Sequence, residues 1–140
     1  MTRLTRCYRF SASHRLHAAS LTEEENRQLY GKCNYPYGHG HNYELEVSVR
    51  GNVDLSSGVL VRVEDLDRLV FSQVIRDMDH RDLNCDVAEF ARLVPTTENL
   101  AEVVSSRLKA GWAGTFGASC LRLDGVRIRE TGKNIVELKS

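Results

Sequence analysis

The chain has 140 residues, 27% charged and 41% hydrophobic, with equal numbers of basic and acidic side chains. That size and balance suit one globular domain spanning 1–140, and a formal net charge of zero gives no footing for a nucleic-acid partner. No apolar run approaches the roughly 20 residues of a membrane span, and no apolar leader core follows Arg3 and Arg6, so the expected location is the cytoplasm with no membrane partner. Cys7, Cys33, Cys85 and Cys120 are scattered, with no C-x-x-C pair, which fits a reducing compartment better than a disulfide framework.

In chain order, CYRFSASH alternates from Cys7 to His14, with Tyr8, Phe10, Ala12 and His14 on one parity, and predicts a half-buried strand. Thr22 is placed to cap a short helix running to Tyr30, with Glu23 to Glu25 in its first turn. From His39 to Val49 a second strand puts Tyr43, Leu45, Val47 and Val49 on one face, and Glu44, Glu46, Ser48 and Arg50 on the other. A turn covers Gly51 to Gly58, and Val59 to Val61 adds a short edge segment. Leu66, Leu69, Val70 and Val74 recur at helical spacing within Glu64 to Asp77, and the polar loop DMDHRDLNCD follows. Pro95-Thr96-Thr97-Glu98 opens a second long helix that buries Leu100, Ala101, Val104 and Leu108. Leu121 to Arg129 and Ile135 to Leu138 form a terminal hairpin turning at Thr131 to Asn134. The order is α+β, an antiparallel sheet backed by helices.

Side chains two apart on a strand share a face, so His39 and His41 extend the inward face of Tyr43 and Leu45. His14 ends the inward face of the first strand in the same way. One inward histidine is usually a satisfied core residue. Three at one end of two strands form a good zinc set, whose fourth position stays open for water or substrate. His17 is close enough in sequence to be a fourth ligand or a substrate contact.

Cys33 lies in a turn-rich loop six residues before His39, with NYPYG between them. It can close a structural site as a fourth ligand. Alternatively, a thiol near a cation, with Lys32 beside it, has a lowered pKa and serves as a base. The spacing leaves both open. Asp79-His80 is either a solvated loop dipeptide or a carboxylate that orients an imidazole, which tilts the balance toward catalysis. In LRLDGVRIRET the inward parity switches at Asp124-Gly125, marking a bulge, and Glu130 then continues the inward face. It is either a frayed strand end in water or a carboxylate that grips a planar two-donor group.

The motifs SASHRLH, GKCNYPYGHGHNYE, MDHRDLN, VPTTENLA and RETGKNIVEL, in this order from about Tyr8 to Leu138, closely resemble those of 6-pyruvoyl-tetrahydropterin synthases. The resemblance implies the tunnelling fold (T-fold): a four-stranded antiparallel sheet with two helices on one face, closing into trimeric barrels that stack as a homohexamer. It implies Zn2+ on His14, His39 and His41, and a catalytic rather than ligating Cys33. Asp79 and His80 match the family's catalytic pair, Glu130 its pterin anchor, and Thr96 and Thr97 threonines near the pterin. These groups meet at subunit interfaces in the family. Arg62 departs from the Asp or Asn that relatives tend to carry before the first long helix.

The implied activity is a lyase reaction, 7,8-dihydroneopterin triphosphate to 6-pyruvoyl-tetrahydropterin, with Arg6, Arg9, Arg15 and Lys32 as candidate triphosphate contacts. The related 6-carboxy-tetrahydropterin synthases commonly have a shorter gap between cysteine and HGH, so NYPYG resembles the pyruvoyl-forming type. A non-enzymatic zinc module with Cys33 as fourth ligand is the alternative of another class.

Overall fold

The structure, a computed structural model, describes residues 1–140. Strand β1 (Thr2–His14) pairs antiparallel with β2 (His39–Gly51) along its whole length, from Thr2 opposite Gly51 to His14 opposite His39. The alternation dictates the burial: Tyr43, Leu45, Val47 and Val49 are all 0% exposed. Each such side chain contributes about 1.5–3 kcal/mol by leaving water. Between these strands lies α1 (Glu23–Tyr30), capped by Thr22 as expected, with Glu25 returning the bond to the Thr22 backbone in a full capping box. A 3-10 turn, Gly31–Asn34, then carries Cys33.

The first long helical run is α2 (Val63–Val70), a π-helical stretch Phe71–Ile75 and α3 (Arg76–Met78). Its buried residues are Leu66, Leu69, Val70, Val74 and Met78. Arg62 is its N-cap residue and makes no side-chain cap bond; its guanidinium only approaches Asp65, at 3.9 Å. The short strand β3 (Arg81–Asp82) and turn α4 (Leu83–Asp86) follow. Helix α5 (Thr97–Phe116) starts with Thr96 accepting from the Asn99 N–H. A Cβ on Gly111 would come within 2.7 Å of Leu69, so glycine there permits the close approach of α5 to α2.

Strand β4 (Arg122–Thr131) pairs with β2 and with β5 (Asn134–Lys139). The expected bulge is present: Ser48 faces Gly125 and Val49 faces Leu123, so Asp124 is skipped. That switch directs Val126 and Ile128 inward, 2% and 0% exposed. The sheet order is β3-β1-β2-β4-β5, open at both edges, with the helices on one face. The fold is the α+β arrangement expected, with two local differences.

The sheet has a fifth, two-residue strand where a polar loop was expected, because β3 pairs parallel with Ala12 and Ser13. Burial of Leu83 and the bond from His80 N–H to the Ser11 carbonyl (2.6 Å) hold this segment on the edge of β1. Val59 to Val61 forms no strand; the Asp54 N–H bonds the Val59 carbonyl (2.9 Å) and closes a turn instead.

Candidate active site

The pairing of β1 with β2 assembles the site. His14 is opposite His39, and Ala12 is opposite His41, so the three inward imidazoles form a triangle with ring centroids 4.7–4.9 Å apart. Gly38 makes this possible: its φ is 73°, and a Cβ would lie 2.9 Å from the His14 carbonyl oxygen. One candidate ligand atom from each ring lies within 4.8 Å of the other two.

The donor chemistry fits a cation. His14 Nδ1–H donates to the Pro95 carbonyl at 2.8 Å, which leaves the Nε2 lone pair free, 3.2 Å from His39 Nε2. A tetrahedral zinc with bonds of about 2.0–2.1 Å separates neighbouring ligand atoms by about 3.3 Å. His41 Nε2 and His39 Nδ1 are buried without any hydrogen-bond partner. Such an orphan costs about 1–3 kcal/mol, so a cation at His41 Nε2 removes a penalty that the protein alone leaves standing. Burial lowers the pKa of His14, and burial lowers that of His41 against the opposing pull of Glu130. Both rings are thereby kept in the neutral, metal-binding form.

Glu130 ends the inward face of β4, its side chain 10% exposed and Oε1 4.0 Å from His41 Nε2. The Thr97 hydroxyl donates to Oε2 at 2.6 Å, and Asn134 Nδ2 donates to Oε1 at 3.4 Å. Burial pushes this carboxyl up, but the Thr97 bond and the neighbouring histidines more than offset it, and the net shift is downward. Glu130 is therefore a satisfied inward carboxylate and not a frayed end. Thr97 is 1% exposed and holds it, while the Thr96 oxygen is used as the helix cap.

Cys33 is half-buried and not among the three grouped ligands. Its thiol is pushed up by burial, with the Glu130 carboxylate adding to the shift. The sequence expectation that Lys32 favours a thiolate is corrected here. Lys32 is exposed, and desolvation together with a nearby carboxylate outweighs it. The Cys33 carbonyl accepts from Leu16 N–H at 2.8 Å, and buried Asn34 donates to the Leu16 carbonyl at 2.7 Å. These bonds stitch the cysteine loop to the chain leaving His14. His17 stands outside the histidine triangle, its Nδ1 accepting from the Asn34 amide at 3.1 Å.

Asp79 and His80 lie at the edge of β1. Asp79 Oδ1 accepts from Ser11 N–H at 2.9 Å at the edge of β1, and His80 turns away with φ 59° and an 82% exposed side chain. The pair is 3.6 Å apart, and no hydrogen bond or ion pair joins either residue to the triangle, Cys33 or Glu130. His80 lines an open cleft with Ser11, Ser13, Asn42 and, from the triangle, His41.

Sequence reasoning overlooked three supporting groups. The Tyr43 hydroxyl approaches His14 Nδ1 at 3.3 Å, and its position on the inward face was the available signal. The Pro95 carbonyl and the Asn34 amide carry no such signal, because a backbone oxygen and a loop amide look alike in any turn.

A family model described as 6-pyruvoyl tetrahydropterin synthase matches residues 3–140. The chain is 43% identical over 133 residues to a 6-pyruvoyl tetrahydrobiopterin synthase of Poecilia reticulata, covering 95% of this chain and 86% of that one. It is 41% identical over 130 residues to the enzyme of that name from Homo sapiens, covering 93% and 86%. The solved Caenorhabditis elegans 6-pyruvoyl tetrahydropterin synthase superposes with a TM-score of 0.89 at 40% identity, over 99% of this chain and 95% of that chain.

Proposed function

The chain belongs to the 6-pyruvoyl tetrahydropterin synthase family, and from that premise we propose that it converts 7,8-dihydroneopterin triphosphate to 6-pyruvoyl-tetrahydropterin with loss of triphosphate. It is a lyase. The observation that carries the reading is one recess holding a partly orphaned histidine triangle and a mostly buried carboxylate 4.0 Å from it.

His14, His39 and His41 would hold Zn2+, which supplies Lewis acidity toward the substrate's side-chain oxygens and so acidifies the adjoining C–H. Glu130, held by Thr97, accepts the amino and ring N–H donors of the pterin in one plane and fixes the ring's register. Cys33 takes a proton from the side-chain carbon and returns one later. Loss of a proton from the carbon next to the ring sends one electron pair into the ring's C=N bond, which takes up a proton at nitrogen. Loss of a proton from the second side-chain carbon forms a C=C bond as the C–O bond breaks and its electrons leave with triphosphate, so no external redox partner is needed. Burial and the Glu130 carboxylate raise the Cys33 thiol above the usual value, and a cation held by the nearby histidines would act in the opposite direction.

Asp79 and His80 tune or relay these protons from a second copy of the chain. The absence of any hydrogen bond or ion pair from either residue to Cys33 supports that arrangement, as do the open edges at β3 and β5, which barrel closure would pair. The assembly is then a homohexamer of two trimers. No helix is long and apolar enough to cross a membrane, in keeping with a cytoplasmic setting.

The deciding experiment incubates the zinc-loaded protein with 7,8-dihydroneopterin triphosphate and identifies the pterin formed. The expected product is the pyruvoyl compound. A 6-carboxy product would move the chain to the related activity, and an unchanged substrate would defeat the enzymatic reading.

A further inference from the structure

The proposed substrate carries a linear triphosphate, yet neither the histidine triangle nor Glu130 offers it a cation. Four basic residues near the motifs are sequence candidates, and the structure separates them. Arg6 is used by Asp67, with two bonds of 2.9 Å, and Arg9 lies 3.6 Å from Glu44 with an 85% exposed side chain. Arg15 and Lys32 have no carboxylate partner.

Arg15 is half-buried and held in place. Its Nε donates to the Asn34 carbonyl at 3.1 Å, and its backbone N–H and C=O both bond Asn84, at 2.7 and 2.9 Å. The four N–H groups on its two terminal nitrogens have no protein acceptor. A guanidinium fixed through Nε, with its fork free, is preorganised for a phosphate oxygen pair. It lines a cleft of about 360 Å3 together with His17, Arg27, Lys32, Asn34 and the single carboxylate Glu23. Arg27 is partly neutralised by Glu24 at 2.8 Å.

The cleft adjoins the chemistry through the chain itself. Arg15 follows His14, Lys32 precedes Cys33, and the bond between Leu16 N–H and the Cys33 carbonyl locks the two segments together. Asn34 donates to His17 Nδ1, so a neutral His17 carries its proton on Nε2 as a further donor.

We propose that this cleft seats the substrate's triphosphate, with the Arg15 fork and the Lys32 ammonium as its cations and the His17 Nε2–H as a further donor. This rests on the reaction proposed above. In that reaction Arg15 stabilises the charge that develops on the leaving triphosphate, as a preorganised donor set does without reorganising. Two cations without a carboxylate partner, Arg15 and Lys32, thus face one cleft beside the cysteine loop.

The test is a calorimetric titration of the zinc-loaded full chain at fixed ionic strength, with sodium tripolyphosphate and separately with phosphate-free 7,8-dihydroneopterin. Tripolyphosphate should bind at least roughly tenfold more weakly to Arg15→Gln and measurably more weakly to Lys32→Gln. Dihydroneopterin affinity and zinc content should hold in both. Lys32→Gln guards against a folding artefact, because Lys32 makes no side-chain contact that the fold needs. Arg9→Gln should bind tripolyphosphate like the wild type. Unchanged affinity in the Arg15→Gln/Lys32→Gln double variant, or an equal loss in Arg9→Gln, overturns the assignment. Tripolyphosphate binding through Arg15 in a protein that does not turn over the substrate sinks the proposed reaction and leaves the subsite standing.

Discussion

The two ends of one short stretch of β1 are built to different standards. At His14 the side chain is 1% exposed, its Nδ1 is bonded to Pro95, and Tyr43 closes over it. Three residues earlier, Ser11 holds Asp79 through its backbone N–H, but the adjoining His80 side chain is 82% exposed in a strained left-handed conformation. The first region is preorganised by one chain: neutral rings, fixed tautomer and buried lone pairs. The second leaves the Asp79-His80 pair beside an open cleft, with no hydrogen bond or ion pair to the triangle. The contrast teaches that one chain finishes the histidine triangle and the Glu130 carboxylate, and leaves Asp79 and His80 at an open strand edge, which is why the proposed relay role of that pair calls for a neighbouring copy.

The largest expected effect is at the finished region. His39→Ala or His41→Ala should lose nearly all zinc, measured as metal per chain, because two neutral ligands cannot replace three. Full occupancy in both variants would remove the metal site from the triangle.

Next comes Cys33→Ala, which should retain zinc and pterin binding but lose about 10²–10⁴-fold in turnover. His80→Ala should also be impaired with its zinc intact. Mixing the two variants under conditions of subunit exchange should restore part of the activity, since a hybrid interface pairs one intact Cys33 with one intact His80. No recovery in exchanged hybrids would place both residues in the same chain's site and erase the contrast.

Glu130→Gln should weaken binding of a phosphate-free pterin at least roughly tenfold while zinc stays bound, because an amide replaces one acceptor oxygen facing a donor. Unchanged affinity by calorimetry would put the anchor elsewhere. Glu98, in the first turn of α5, is exposed.

The smallest effect is on pH. Burial depresses the His14 and His41 pKa values below the usual 6.5, so the unfolded chain binds more protons than the folded one as pH falls through that value. Stability of the metal-free protein is therefore full above about pH 6.5 and is lost as the pH drops toward the folded pKa values. The depressed carboxyl of Glu130 acts in the same direction at lower pH. Metal-free protein should show a Tm lower by on the order of a few degrees at pH 5.5 than at pH 7.5, and His14→Asn should flatten that slope. Equal slopes in the two proteins would mean that other groups set the acid sensitivity.

By itself the sequence determined whatever depends on residues close along the chain. Alternation placed His14, His39 and His41 on one inward face, and the Asp124-Gly125 bulge turned Glu130 to join them, because side-chain direction on a strand has a period of two. Thr22 and Thr96 announced their helices because a cap acts within three residues. Tertiary structure alone decided what joins residues far apart. Pro95 reaches His14 across 81 positions, and Thr97 reaches Glu130 across 33. The segment after Met78 became an edge strand, with Asp79 fastened to Ser11 across 68 positions. The Cys33 thiol went up and not down because burial and Glu130, both products of packing, outweigh the lysine beside it in sequence. Register and helix docking set those distances, and neither is written in any short window of the chain.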